Sequence, residues 1–237
     1  MTRLLLFDID GTLVDTDGAG REALRRALRE VFGETGPIDS FDFHGKTDPL
    51  IVRGLMREAG WAVEEVDARL ERVWTSYLAA PVEELDARRR QGRVRPYPGV
   101  RRLLAEVADD PRFVSALVTG NVAEGAWHKL EAGGLDSHFE FGAFGSDSAR
   151  REDLPPIALR RATRQLGREF AAGDAVVIGD TPEDVRCARA SGARAVTVAT
   201  GRHRPDELAE HDPDHVFADL SDTGAVIEAL AAPVTRP

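Results

Sequence analysis

The segment "LLLFDIDGTLVD", residues 4–15, constrains this chain more than any other stretch. Its four leading apolar residues read as a strand buried on both faces, as strands of a parallel sheet are. The run ends in Asp8 and Asp10, two residues apart and so on one side of an extended segment, and Gly11 then allows the backbone to turn. Two carboxylates at the tip of a core strand repel each other and resist burial. Their placement calls for a cation between them.

The remainder of the chain supplies a sheet for that strand. Helical spacing runs over residues 17–33 (Ala19, Ala23, Leu24, Ala27, Leu28, Val31), over 46–60, and over 62–90 as one or two helices with a break near Pro81. No convincing strand interrupts residues 16–95. "RPYPGV" (95–100) breaks the pattern. Helices and strands then alternate: helix 99–108, strand 113–119, helix 122–132, a short strand within 139–144, helix 155–166, strand 175–180, helix 182–191, strand 195–200, helix 205–210 and a short strand near 215–217. Such alternation predicts an α/β fold, a Rossmann-like parallel sheet with helices on both faces. The expected organisation is a core of residues 1–15 and 96–237 with an α-helical insertion, residues 16–95, after the first strand. The terminal "AAPVTRP" reads as loose.

Composition excludes several function classes. Of 237 residues, 42% are apolar and 30% charged, and the net charge of −10 makes nucleic acid and anionic membranes poor partners. The densest basic stretch, "RRRQGRVR" (88–95), reads as a solvated helix end. No apolar run approaches the roughly 20 residues that span a bilayer, and the N-terminus lacks a signal-peptide pattern. The single cysteine, Cys187, allows no intrachain disulfide and sits in "VRCARA" as a small core residue. The expectation is a cytoplasmic monomer or homodimer.

Ligands of open parallel sheets lie at the carboxyl ends of the strands. Here those ends carry Asp8 and Asp10, then Thr119, Gly120 and Asn121 in "VTGN", then Asp180 and Asp184 in "IGDTPEDV". Asp8, Asp10 and Asp180 are hard oxygen donors suited to Mg²⁺. A neutralised phosphoryl group would let the Asp8 carboxylate attack phosphorus, with Asp10 placed to move the proton. Thr119 and the Gly120 amide precede a helix N-terminus, where phosphate oxygens are favoured.

"DIDGTLVD", "VTGN" and "GDTPEDV" resemble, in order and spacing, three of the four motifs of the haloacid dehalogenase superfamily, and the resemblance covers essentially the whole chain. It implies a helical cap inserted after the first motif, Asp8 as nucleophile and Asp10 as acid/base. Mg²⁺ would be held by Asp8, the Asp10 backbone carbonyl and Asp180, with Asp184 binding a metal water or orienting a cationic residue. The superfamily's lysine before the last motif is missing from "SARREDLPPIALRRA"; Arg151 or Arg150 stands in its place. The acid at position 10 is absent from the dehalogenases and argues for phosphate chemistry. "FHGKTDPLI" (43–51) resembles the substrate-facing cap loop of phosphoglycolate-phosphatase-like members. It offers Lys46, one of only two lysines among 31 basic residues. Thr47 or Asp48 reads as a helix cap. His44 reads as structural before substrate contact, His203 stands where it could line the site edge, His211 and His215 make no compelling second metal centre, and Trp61, Trp74 and Trp127 read as packing residues. The implied activity is a Mg²⁺-dependent phosphatase of a small phosphorylated metabolite, phosphoglycolate foremost. The alternatives are a β-phosphoglucomutase-type phosphomutase and a non-catalytic binding protein.

Overall fold

A computed structural model describes residues 2–233, except for the side chains of residues 80–83. The sequence-predicted strand is β1, Arg3–Phe7, buried throughout. β2 (Val14–Asp15) follows, then four helices: α1 (Ala19–Phe32), α2 (Asp48–Glu58), α3 (Val63–Asp67) and α4 (Leu70–Arg90). The chain returns through β3 (Arg95–Pro96) and alternates through α5 (Val100–Ala108), β4 (Phe113–Thr119), α6 (Ala123–Gly133), β5 (Gly142–Phe144), α7 (Leu154–Leu166) and β6 (Ala175–Gly179). It closes with α8 (Pro182–Ser191), β7 (Arg194–Val198), α9 (Pro205–Ala209), β8 (His215–Phe217) and α10 (Thr223–Ala231).

The main sheet is parallel, in the order β5-β4-β1-β6-β7-β8. Because side chains alternate across a strand, β1 divides its residues between two layers. Leu5 and Phe7 pack with Leu103, Leu104, Leu130, Val226 and Leu230 of α5, α6 and α10. Leu4 and Leu6 face Leu154, Ala158, Val185 and Ala188 of α7 and α8. Each fully buried leucine contributes about 1.5–3 kcal/mol, so the acid pair stands at the end of a strand buried along its whole length. Helices α1–α4 enclose a third apolar cluster around Leu28, Leu55, Met56 and Val73. The two connections to this insertion run side by side as a two-residue antiparallel ladder, Val14 opposite Pro96 and Asp15 opposite Arg95.

Three expectations need correction. α4 is one helix through Pro81, since Val73, Tyr77 and Leu85 are buried on both sides of it and packing outweighs the local proline cost. Arg95, expected to lie in a strand-free stretch, pairs across the ladder. The C-terminal stretch is anchored where it is described: α10 contains Ala231, and the Ala232 carbonyl accepts from Arg3 (3.0 Å) and Arg194 (2.8 Å). Residues 234–237 lie outside the described residues. α10 itself was not anticipated, although Asp222 accepts from the Ala225 amide at 3.1 Å and Val226, Ala229 and Leu230 have helical spacing. Among the described residues no helix is long and apolar enough to cross a membrane.

Candidate active site

The carboxyl ends of β1, β4 and β6 open into a cavity of about 420 Å³, closed from the other side by α1, α4 and the 43–48 loop. Asp8 follows β1, its amide donating to the Ile178 carbonyl of the neighbouring strand at 2.9 Å. Gly11 turns the chain at φ 77°, and a Cβ there would overlap the Asp180 carboxylate, so only glycine serves. Thr12 Oγ1 donates to Asp180 Oδ1 at 3.1 Å. Past β6, Thr181 caps α8, with Asp184 Oδ2 accepting from its amide (3.0 Å) and hydroxyl (2.6 Å).

Asp8, Asp180 and Asp184 are buried, with one oxygen from each lying within 4.8 Å of the others. Arg151 is the cation among them: Nη2 lies 2.8 Å from Asp8 Oδ2 and 2.5 Å from Asp184 Oδ1. Arg150, the other arginine weighed for this position, is exposed. Burial pushes Asp8 up to about 6 against the pull of Arg151, and the Asp184 and Asp10 charges add to the rise. Burial likewise holds Asp180 far above the usual carboxylate range, reinforced by Asp184 and Asp8. Three buried carboxylates served by one guanidinium form an oxygen donor set that fits a hard divalent cation. Arg151 Nε is buried with no partner of its own.

The Asp10 carboxylate has partners of its own. Both its oxygens accept from Lys129 Nζ, at 2.8 and 2.6 Å, and Oδ2 also accepts from Asn121 Nδ2 at 2.8 Å. Asn121 joins Lys129 (2.6 Å) and Thr119 Oγ1 (2.7 Å) to the same network. Burial pulls the Lys129 ammonium down, but the Asp10 and Asp48 charges prevail and leave its pKa raised. Sequence reasoning counted Lys129 without giving it a role. Its rarity and its position eight residues, about two helical turns, after Asn121 were the available signals.

The 43–48 loop docks on the end of β4. The Asp48 amide donates to the Gly120 carbonyl at 2.8 Å, and a Cβ on Gly120 would overlap the Lys46 carbonyl. Thr47 stands at the α2 N-cap position, yet its hydroxyl donates to the Ala149 carbonyl at 2.8 Å. Asp48 does not cap its own helix either: Oδ2 accepts the Val122 amide, at the start of α6, at 2.8 Å. The helix-cap expectation for this pair is thereby replaced by a clamp between insertion and core. Burial raises Asp48 to about 6, with Lys129 opposing. Lys46 and His44 line the cavity, and both meet Asp42, at 3.7 and 2.7 Å.

The other singled-out residues fall outside the cavity. His203 lies 3.9 Å from Glu207, and among the described residues neither His211 nor His215 joins a metal-type cluster. Cys187 is fully buried, which raises its thiol pKa. Trp61, Trp74 and Trp127 make edge or tilted contacts with Phe32, Tyr77 and Phe144. Arg89, Arg90 and Arg93 are exposed, while Arg88 pairs with Glu84 on α4.

Comparison with known proteins agrees with this arrangement. The family model described as haloacid dehalogenase-like hydrolase matches residues 5–189. A Dickeya dadantii protein named "Probable phosphatase IndB" is 29% identical over 234 residues, spanning 97% of this chain and 95% of its own. The phosphoglycolate phosphatase of Rhodospirillum rubrum is 29% identical over 234 residues, spanning 94% and 90%. A solved hydrolase from Pseudomonas syringae shares the fold at TM-score 0.72 and 23% identity, covering 98% of this chain and 100% of that one. The motif residues at three strand ends and a family match over most of its length make this chain a member of the haloacid dehalogenase-like hydrolase family.

Proposed function

We propose that this chain is a Mg²⁺-dependent phosphatase of a small phosphorylated metabolite, with phosphoglycolate the favoured substrate. The observation that carries the reading is the pairing of Asp8, held by Arg151, with Asp10, held by Lys129 and Asn121, at the floor of one cavity. The phosphatase names of its relatives support it. Residues 16–95 act as a cap over a core of residues 1–15 and 96–237.

Asp8 attacks phosphorus, forming an aspartyl-phosphate as the bond to the ester oxygen breaks. Asp10 gives its proton to that departing oxygen. It then takes a proton from the water that attacks phosphorus and releases Asp8 and inorganic phosphate. Thr119 Oγ1 and the Gly120 amide hold phosphoryl oxygens, and the fixed charge of Arg151 keeps Asp8 oriented. Asn121 orients Asp10 and Thr119. Lys46 reaches from the cap toward the organic part of the substrate. Asp8, the Asp10 backbone carbonyl and Asp180 are the residues that would hold Mg²⁺, which supplies neutralising charge to the phosphoryl group. Asp184, with both oxygens engaged by Arg151 and Thr181, fits the role of orienting the cation better than that of a direct ligand.

The test is phosphate release from phosphoglycolate, sugar phosphates, nucleotides, pyrophosphate and p-nitrophenyl phosphate, with Mg²⁺ and with EDTA. Metal-dependent release that Asp8→Asn abolishes is expected, concentrated on phosphoglycolate. Isomerisation of β-glucose 1-phosphate without free phosphate would replace the reading with a mutase. No turnover of any ester in Mg²⁺ would refute an enzymatic role on these substrates.

A further inference from the structure

Lys129 is one of the chain's two lysines, and its side chain is 8% exposed, whereas Asp10 beside it is 48% exposed at the cavity. Burying an ammonium group is costly unless every proton it carries finds an acceptor. Lys129 meets that condition within the site: its Nζ donates to Asp10 Oδ1 (2.8 Å), Asp10 Oδ2 (2.6 Å) and Asn121 Oδ1 (2.6 Å). Asn121 returns a bond to Asp10 Oδ2 and another to Thr119 Oγ1. Both oxygens of the one solvent-facing carboxylate in the acid pair are thus fixed from the core side.

The ammonium also lies beside the helical insertion. A Cβ placed on Gly20, in the first turn of α1, would lie 3.4 Å from both Cε and Nζ of Lys129. The Tyr77 hydroxyl of α4 stands 3.6 Å from that same point. Gly20 of α1 and the Tyr77 hydroxyl of α4, both in the helical insertion, thus lie near the ammonium.

We propose that Lys129 is a positioning residue for the proton transfers of Asp10, acting chiefly through its two bonds to the Asp10 carboxylate. The proposal rests on Asp10 being the acid/base of the reaction above. A carboxylate on a short side chain beside three other acids has several rotamers open to it. A triply bonded ammonium behind it leaves one, and a misplaced proton donor loses much of the factor of about 10²–10⁴ that acid–base catalysis supplies.

A four-protein cycle tests this: wild type, Lys129→Met, Asp10→Asn and the double variant, assayed with p-nitrophenyl phosphate in Mg²⁺. Lys129→Met is expected to lower kcat by about 10²-fold, by loss of most of the acid–base factor, with KM changed by less than about threefold. Added to Asp10→Asn, whose slow residual rate is followed over hours, the same substitution should change kcat by less than about threefold, because the group it acts through is already disabled. An equal loss in both backgrounds would assign Lys129 a general structural role and overturn the proposal. So would near-normal kcat in Lys129→Met while Asp10→Asn is crippled. Near-normal kcat in Asp10→Asn would instead sink the acid/base reading itself. Should Lys129→Met fail to fold, Lys129→Gln, which keeps a donor but no charge, enters the same cycle with the same outcomes.

Discussion

Removing the Arg151 charge probes how the site is held together. Arg151 and its partners Asp8 and Asp184 have side chains only 7%, 8% and 1% exposed, and one nitrogen serves both carboxylates at 2.8 and 2.5 Å. At an effective dielectric constant of about 20, unit charges about 4 Å apart interact by about 4 kcal/mol. Arg151→Met removes two such attractions and leaves two buried carboxylates facing each other. Breaking a buried pair by deleting one partner costs about 3–5 kcal/mol, most of it the penalty of the stranded charge. In a chain of this size 1 kcal/mol moves the melting temperature by about 2–4 °C, so the variant should melt about 6–20 °C lower. The assay is thermal unfolding followed by circular dichroism at pH 8 in EDTA. Arg112→Met is the control: Arg112 lies 2.6 Å from Asp110 but is 55% exposed, and its loss should leave the melting temperature essentially unchanged. A fall of less than about 3 °C for Arg151→Met would refute the reasoning, by showing that desolvation of the guanidinium had already cancelled its attraction to the acids.

Gly120→Ala puts a methyl group onto the Lys46 carbonyl and should push the 43–48 loop off the core. The expected cost is about 1–3 kcal/mol, with a raised KM for phosphoglycolate, measured by melting and by steady-state kinetics. Asp48 predicts a pH effect on stability. Its folded pKa is raised from 3.8 to about 6, so the folded state holds the proton more tightly and stability falls as pH climbs from about 4 to about 6. The full difference is about 3 kcal/mol. Denaturant titrations at pH 4 and pH 7 should show wild type losing that much more stability over the interval than Asp48→Asn, whose amide oxygen can still accept from Val122. Parallel pH profiles for the two proteins would show that Asp48 is not buried as a charge.

Much of the core and the acid motif was legible because each rests on local rules. A fully apolar run ending in acids reads as a central parallel strand, and strand–helix alternation after residue 100 reads as a wound sheet. The observed β4 and α8 match the expected bounds, Phe113–Thr119 and Pro182–Ser191. Asp8, Asp10, Asp180 and Asp184 fall at strand ends or in the helix turn that follows, so their convergence follows once the sheet is parallel. What escaped were pairings between distant segments. Nothing local marks the Val14–Pro96 ladder, and the burial of Val73, Tyr77 and Leu85 that carries α4 past Pro81 exists only once α1 and α4 pack together.

The choice between Arg150 and Arg151 shows the same division. Neighbouring positions in a chain are chemically alike until a fold turns one inward, and here the short helical turn before α7 buries Arg151 and leaves Arg150 exposed. Asp48 fits a helix start by sequence, but its carboxylate caps α6 because the 43–48 loop has docked there. Lys129 becomes part of the site only because α6 carries it back behind Asp10, 119 residues earlier in the chain. The sequence by itself determined the sheet, the strand-end acids and the family, which depend on periodicity and short motifs. Only the tertiary structure decided which cation meets which acid, because that depends on distances and burial between segments far apart in the chain.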